Sequence, residues 1–453
     1  MNRLPIRGGN WNNGVSSGVF ALNLNNARSN ANTNIGCRPA LVDCQMRRAY
    51  RAHRQNATQK DVPSSARVAA RSRNIQQVGR SSSACARPFG PAAPWGLMAK
   101  TYNNLFPQIY AFDALHAAYL RARAGKRSRH EVQQFERDLE GNLIALQNEL
   151  IWGSYQIGAY RLFKVYEPKE RQVAALPFRD RVVQHALVAA IEPLWERRFI
   201  ADSYACRPDR GTHRGADRAQ AMLRKVKREH GRVYVFKADI AKYFQSIDHG
   251  VLKAQLRRRI ACRPTLALLD HIIDSANILH GTPGVGLPIG NLTSQLCANI
   301  VLHDLDEFAK HGLRERHYAR YMDDFIVVHY DKAHLQRVRA QVEEFLEQRL
   351  HLRTNHKTDI FPIAPLRGRA LDFLGYRIWP THRRLRKSSI ARITRSLRRM
   401  QRQYAKGRIS LSYIAASVQS WVAHAMHADA LGLRTSLLEK FRFIRVQDGG
   451  VKP

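Results

Sequence analysis

No stretch of this chain reaches the ~18 uninterrupted apolar residues of a membrane-spanning helix, which argues against an integral helical membrane protein. No apolar signal-peptide core follows the N-terminus. Cysteine is scarce: six residues, at 37, 44, 85, 206, 262 and 297, without metal-ligand spacing. That scatter fits free thiols in a reducing, cytoplasmic setting. Cys206 and Cys297 are expected to serve packing. Acidic residues are also few, 36 Asp and Glu against 74 Lys and Arg, for a formal net charge of +38. A surplus of this size concerns partners rather than fold. Neutralisation of nucleic-acid phosphates is the first expectation, and an anionic membrane surface comes second.

What is present divides into four parts. Residues 1–97 are rich in Asn, Ser, Arg and Ala with little periodicity, so a mostly disordered leader is expected. Residues 98–230 open with helical patterns. Leu115, Tyr119 and Arg123 share one face, and Phe135, Leu139, Leu143, Leu146 and Leu150 predict a second helix. A third, from Val182 to Trp195, is apolar on most sides. Residues 231–378 alternate strands and helices, an α+β pattern. Residues 379–453 read as helical and hold 16 Lys and Arg against 3 Asp and Glu.

The chemistry concentrates in two carboxylate sites. Arg320-Tyr321-Met322-Asp323-Asp324-Phe325 places adjacent acids between two β-rich runs, 317–322 and 325–330, which predicts a tight hairpin with both acids at its tip. An Asp-Asp pair in a turn is usually only a turn. A second site raises its meaning: Asp239 follows the β-rich run Arg232-Val233-Tyr234-Val235-Phe236-Lys237-Ala238, at a strand's end. Such carboxylates can present oxygen ligands to Mg²⁺, which is held through one or two of them plus substrate phosphates. A two-metal site activates an attacking hydroxyl and stabilises the leaving oxygen.

With these motifs the chain, from about Asn103 to Trp421, resembles the reverse transcriptases. Further blocks carry the resemblance in order. Lys169-Glu170-Arg171-Gln172-Val173 through Leu187 is similar to the fingers segment of bacterial members, including those of group II introns and retrons. Ser203-Tyr204-Ala205-Cys206-Arg207-Pro208 follows, then Gly286-Leu287-Pro288-Ile289-Gly290-Asn291-Leu292-Thr293-Ser294-Gln295 and Ala298-Asn299. Asn355-His356-Lys357-Thr358 and Phe373-Leu374-Gly375-Tyr376 complete the series. The resemblance implies a right-hand polymerase: fingers, a palm with an antiparallel sheet, and a basic helical thumb over 379–453 gripping the template–primer duplex. It implies that Asp239, Asp323 and Asp324 serve two Mg²⁺ ions (Mn²⁺ being possible). Lys169 and Arg171 would hold the dNTP triphosphate, Phe244 would act as a steric gate under the sugar, and Ile289 and Gln295 would border the nucleotide. Lys357 would be a general acid near the pyrophosphate, and Phe373 to Tyr376 the primer grip. Template RNA, the RNA/DNA hybrid and dNTPs are the implied partners, with no membrane.

One block narrows the resemblance. Most bacterial reverse transcriptases read Pro-Gln-Gly and end in Ser-Pro here, whereas this chain has Ile289 and Ser294-Gln295. That variant is similar to the reverse transcriptases of diversity-generating retroelements, as is the opening Tyr102-Asn103-Asn104-Leu105-Phe106. Residues 1–45 hold ten Asn and no Lys, with Asp43 the only acid. They resemble a translated template repeat, whose adenines such systems copy with errors to diversify a target gene. Met98 is then an expected native start, and a small basic accessory oligomer an expected partner in trans. The alternatives are a group II intron-like or retron-like enzyme, or a non-catalytic RNA-binding protein on a polymerase scaffold.

Overall fold

The computed structural model describes residues 100–445 apart from 167–169, 278–281 and 365–367. The leader, its Asn-rich segment, Met98 and Lys169 lie outside the described residues. The first group of elements is helical: α1 (Pro107–Tyr110), α2 (Phe112–Arg123), α3 (His130–Glu136) and α4 (Leu139–Ile151). Leu115 and Tyr119 are buried on α2 as the periodicity requires. The single helix expected through Phe135 and Leu150 is two. Asp138 breaks it, because its carboxylate accepts from the Gly141 amide at 3.1 Å and caps α4. The Tyr119 hydroxyl donates to Glu136 at 2.6 Å and Arg123 donates to the same carboxylate at 2.8 Å, tying α2 to α3. The antiparallel hairpin β1 (Arg161–Val165) and β2 (Arg171–Ala175) follows. Then comes α5 (Phe178–Glu196), buried on most sides and packed against α1 and α2.

The helix α6 (Thr212–His230) buries Ala216, Ala219, Leu223 and Val226 at 3–4 spacing and leaves its charged face in solvent. It leads into the central sheet, whose strand order is β4-β5-β3-β6, all antiparallel. Its strands are β3 (Tyr234–Asp239), β4 (Tyr318–Tyr321), β5 (Asp324–His329) and β6 (Asp359–Pro362). Between β3 and β4 lie α7 (Tyr243–Ser246), α8 (His249–Arg257), α9 (Arg263–Asp274) and α10 (Leu292–Glu307), with a π-helical turn at Phe308–Gly312. Phe236, Tyr318 and Phe325 are fully buried on the sheet. The helix α11 (Lys332–Leu350) lays Leu335, Val338, Val342, Leu346 and Leu350 against β3, β5 and β6. Truncating one of these to Ala would cost about 2–5 kcal/mol.

A second small sheet orders β7 (Leu371–Phe373), β8 (Tyr376–Ile378) and β9 (Arg383–Leu385). The segment from 379 is therefore not wholly helical: residues 383–385 pair with β8 before the helices α12 (Lys387–Ala405), α13 (Leu411–Ala425) and α14 (Leu431–Glu439) begin. Short basic runs carry no periodicity that separates a strand from a helix start. Among the described residues no helix is long and apolar enough to cross a membrane.

Candidate active site at the end of the central sheet

The register of β3 and β5 sets Asp239, the last residue of one strand, opposite Asp324, the first of the other. Only Met322 and Asp323 join β4 to β5, so Asp323 occupies the turn and Asp324 already belongs to the strand. Met322 has φ 56° and is fully buried. A bulky residue adopts this left-handed conformation only when its surroundings impose it.

Those surroundings are polar and buried. The Arg320 side chain, wholly excluded from solvent, donates from Nη1 to the Met322 carbonyl at 3.0 Å and to Asn299 Oδ1 at 3.1 Å. Its Nε and Nη2 donate to Asp306 at 2.7 and 2.6 Å. The Tyr318 hydroxyl donates to the same carboxylate at 2.8 Å. An ion pair of this depth contributes little net stability. Here it supports the carbonyl of the strained turn.

The three carboxylates crowd one another. Burial, then the neighbouring Asp239 carboxylate, push the Asp323 carboxyl well above the usual range. Burial pushes Asp324 up to about 6 against the opposing pull of Lys237. Lys237 Nζ donates to Asp324 Oδ2 at 3.1 Å and to the Asp372 carbonyl at 2.8 Å. Asp324 Oδ1 is buried and has no hydrogen-bond partner among the described residues. Asn355 donates from its side chain to Asp239 Oδ2 at 3.3 Å and from its backbone to the Asp239 carbonyl at 2.6 Å. Among the described residues, no group of three or more His, Cys, Asp or Glu side chains is arranged to hold a metal ion by itself. An orphaned carboxylate oxygen beside mutually repelling hard-oxygen donors fits a divalent cation that keeps positions open for substrate phosphates.

The other expected residues are placed as follows. Arg171 opens β2. Burial lowers its pKa, while the charges of Asp323 and Asp239 hold it up. Ala174 of β2 donates its amide to the Ile289 carbonyl at 2.9 Å. Gly290 has φ 134°, and a Cβ there would lie 2.6 Å from the Ala174 oxygen, so this approach requires glycine. Phe244 is buried, edge-on to Tyr243, and its carbonyl accepts from the Leu287 amide at 2.6 Å. The hairpin β1–β2, the 286–290 segment and the Phe244 turn are thus linked through backbone. Gln295 is half-buried one turn into α10. Lys357 is exposed, two residues beyond Asn355.

The 373–376 segment forms the β7–β8 turn, with Leu374 at φ 53° and Gly375 at φ 90°. The Phe373 ring centre lies 5.9 Å from Lys237 Nζ. Leu374 and Tyr376 turn inward instead. Leu374 packs on Gly215 of α6, where a Cβ would meet it at 2.6 Å. The Tyr376 hydroxyl shares hydrogen bonds with His213 Nδ1 at 2.9 Å and His424 Nδ1 at 3.1 Å. Sequence reasoning missed Lys237, Arg320, Asp306 and Asn355. Two had a signal: Arg320 is a charge in an otherwise apolar strand, and Lys237 precedes Asp239 by two on the same strand face.

Residues 165–378 match the family model described as reverse transcriptase (RNA-dependent DNA polymerase). Over 280 residues the chain is 30% identical to protein YkfC of Escherichia coli (strain K12), a match spanning 52% of this chain and 71% of that protein. The chain belongs to the reverse transcriptase family. It is also 30% identical over 145 residues to the group II intron-encoded protein LtrA of Lactococcus lactis subsp. cremoris, covering 31% of this chain and only 23% of LtrA. Among solved structures, apo telomerase from Candida tropicalis is similar at 14% identity and a TM-score of 0.37, over 51% of this chain and 55% of that one. By its family match and its own mixed helices and antiparallel sheets, this reverse transcriptase has the α+β right-hand polymerase fold, and its family is one of nucleotidyltransferases, RNA-directed DNA polymerases.

Proposed function

We propose that this reverse transcriptase copies a template RNA into cDNA with adenine-specific infidelity, diversifying a target gene by mutagenic retrohoming. The observation that carries the reading is Ile289. It sits half-buried in the segment bonded to β2, where the side chain can neither donate nor accept a hydrogen bond. A nucleotide bordered there gains no hydrogen bond from this side chain. Losing one polar contact of roughly 1 kcal/mol narrows discrimination about fivefold. The Ser294-Gln295 ending and the Asn-rich residues 1–45 support the same subtype.

In this reading Asp239 and Asp323 hold Mg²⁺, with Asp324 completing the set while paired to Lys237. A divalent ion bound there would neutralise charge on the triphosphate and its leaving pyrophosphate. Arg171, with Lys169, steadies the triphosphate. The buried Phe244 walls the sugar against a 2′-hydroxyl. Lys357, exposed beyond Asn355, is the candidate proton donor to the leaving group. The turn at 373–376 supports the primer through its backbone, since its side chains pack inward. A small basic accessory oligomer would act in trans on the RNA.

The test is primer extension on an RNA template with dNTPs and Mg²⁺, beside Asp323→Asn, with products sequenced. Asp323-dependent cDNA with errors clustered at template adenines, reduced severalfold by Ile289→Gln, is the expected result. Accurate cDNA would instead establish a second reading, an intron-like or retron-like enzyme, which the similarity to LtrA favours. Error spectra unchanged by Ile289→Gln would remove Ile289 from the explanation.

A further inference from the structure

The exposed face of α6 carries Arg214, Arg224, Lys225 and Arg228 over roughly 21 Å of helix. Against it lies the hairpin joining β8 to β9. Arg383 pairs with Asp217 of α6 at 2.6 Å, and Arg224 Nε donates to the Pro380 carbonyl at 3.2 Å. At the hairpin's tip the Trp379 ring stacks on His382, with centroids 4.6 Å apart and planes at 14°. The guanidinium carbons of Arg377 and Arg384 sit 5.2 and 6.0 Å from that ring's centre. Arg224, Arg228, Arg377 and Arg384 have no carboxylate partner among the described residues. Two cationic elements are therefore locked together, and the nearby acids are already engaged: Asp217 by the Arg383 side chain, Asp429 by the Arg383 amide at 3.1 Å and Glu229 by Lys225 at 4.0 Å.

We infer that this face is a second RNA-binding surface, outside the polymerase cleft, which takes the phosphate backbone of a structured RNA. Four guanidiniums without counter-ions fit a polyanion. A flat ring flanked by guanidiniums offers a stacking platform to an unpaired base at the edge of such a structure, which an acidic protein would not use. Position separates the surface from the site already described. The turn at 373–376 closes one end of the small sheet, and Trp379 to His382 close the other, about 10 Å away along three-residue strands. The inference needs the polymerase family but not adenine-specific infidelity.

The experiment uses the full chain, a 3′-blocked RNA hairpin of about 20 base pairs that cannot serve as primer, and fluorescence anisotropy across a KCl series. The variant Arg224→Gln/Arg228→Gln replaces exposed side chains and leaves the core intact. The expected result is at least tenfold weaker hairpin binding and a log–log salt slope shallower by about two, one for each phosphate no longer neutralised. Extension of a short unstructured primer–template should be unchanged. Trp379→Ala should weaken binding to a hairpin with an unpaired flank more than to a blunt one. Unchanged affinity and slope would overturn the proposal. So would a parallel fall in primer extension, which would put these residues in the cleft. If the variant keeps its RNA binding but no longer binds polyglutamate, the face belongs to an acidic protein and the proposal is likewise overturned.

Discussion

Arg320 lies beneath the strained Met322–Asp323 turn, and removing it separates stability from catalysis. Arg320→Met leaves the Asp306 carboxylate fully buried with only Tyr318 as donor. Breaking a buried pair by removing one partner costs about 3–5 kcal/mol. Without the bond to the Met322 carbonyl, about 1 kcal/mol more goes. The sum is a large fraction of the ~5–15 kcal/mol that stabilises a typical domain, and urea denaturation will read it. The triple variant Arg320→Met/Asp306→Leu/Tyr318→Phe removes the whole polar set. Apolar replacement of a buried pair is near neutral or stabilising, so most of the stability should return. The turn carbonyl remains unsupported, however, and Met322 has no remaining reason to hold φ 56°. A carboxylate displaced by 1 Å costs on the order of 10²-fold in rate. Single-turnover extension of the triple variant should therefore stay about 10²-fold slow although the protein is stable. Recovery of rate together with stability would refute the reasoning and reduce the network to core packing.

Three further outcomes are expected. Lys237→Met removes the cation shared by Asp324 and the Asp372 carbonyl; extension should fall about tenfold at saturating dNTP, with Lys237→Arg recovering part of it, as steady-state kinetics will show. Gly290→Ala should place a Cβ against the Ala174 oxygen and raise the KM for dNTP severalfold, with a stability loss of about 1–3 kcal/mol. The histidines around Tyr376 give a pH dependence. Burial first, then their histidine neighbours and Arg383, push His213 down to about 4 and His424 to about 3, with Asp217 the opposing acid at His213. Their folded pKa values lie below the unfolded value of about 6.5, so the unfolded chain binds more protons in acid. Their contribution is intact above about pH 6.5 and is lost as pH falls toward 4, by about 1–2 kcal/mol per pH unit. Thermal unfolding from pH 7.5 to 4.5 will show it, and the double variant His213→Gln/His424→Gln should flatten the slope.

Much of the site was legible because its parts follow strand periodicity. Asp239 at a strand's end and a tight hairpin at Asp323 could be read from alternation and turn length, and β3 and β5 bring them together. What stayed hidden depends on partners distant in sequence. Asp306 on α10 is an ordinary helix position in the sequence until Arg320 is folded against it, and the bond from Arg320 to Asn299 could not be read from the motif that holds Asn299. The break at Asp138 required a local side-chain cap to override a good apolar stripe. Tyr376 is expected in a primer grip, and nothing in the sequence signals that its hydroxyl is committed to histidines at 213 and 424, each far along the chain.

Lys237 belongs to one sheet and touches another. A single ammonium closes the loop between Asp324 and the strand that leads into the 373–376 turn. Arg386, just before α12, pairs with Asp372 on that same strand. Any lifting of the small sheet away from the central one must therefore break a charged hydrogen bond and loosen the cation that Asp324 holds. The position of the small sheet and the electrostatic balance of the carboxylates are mechanically one event, so a shift of the 373–376 turn is felt as a change of charge at Asp324.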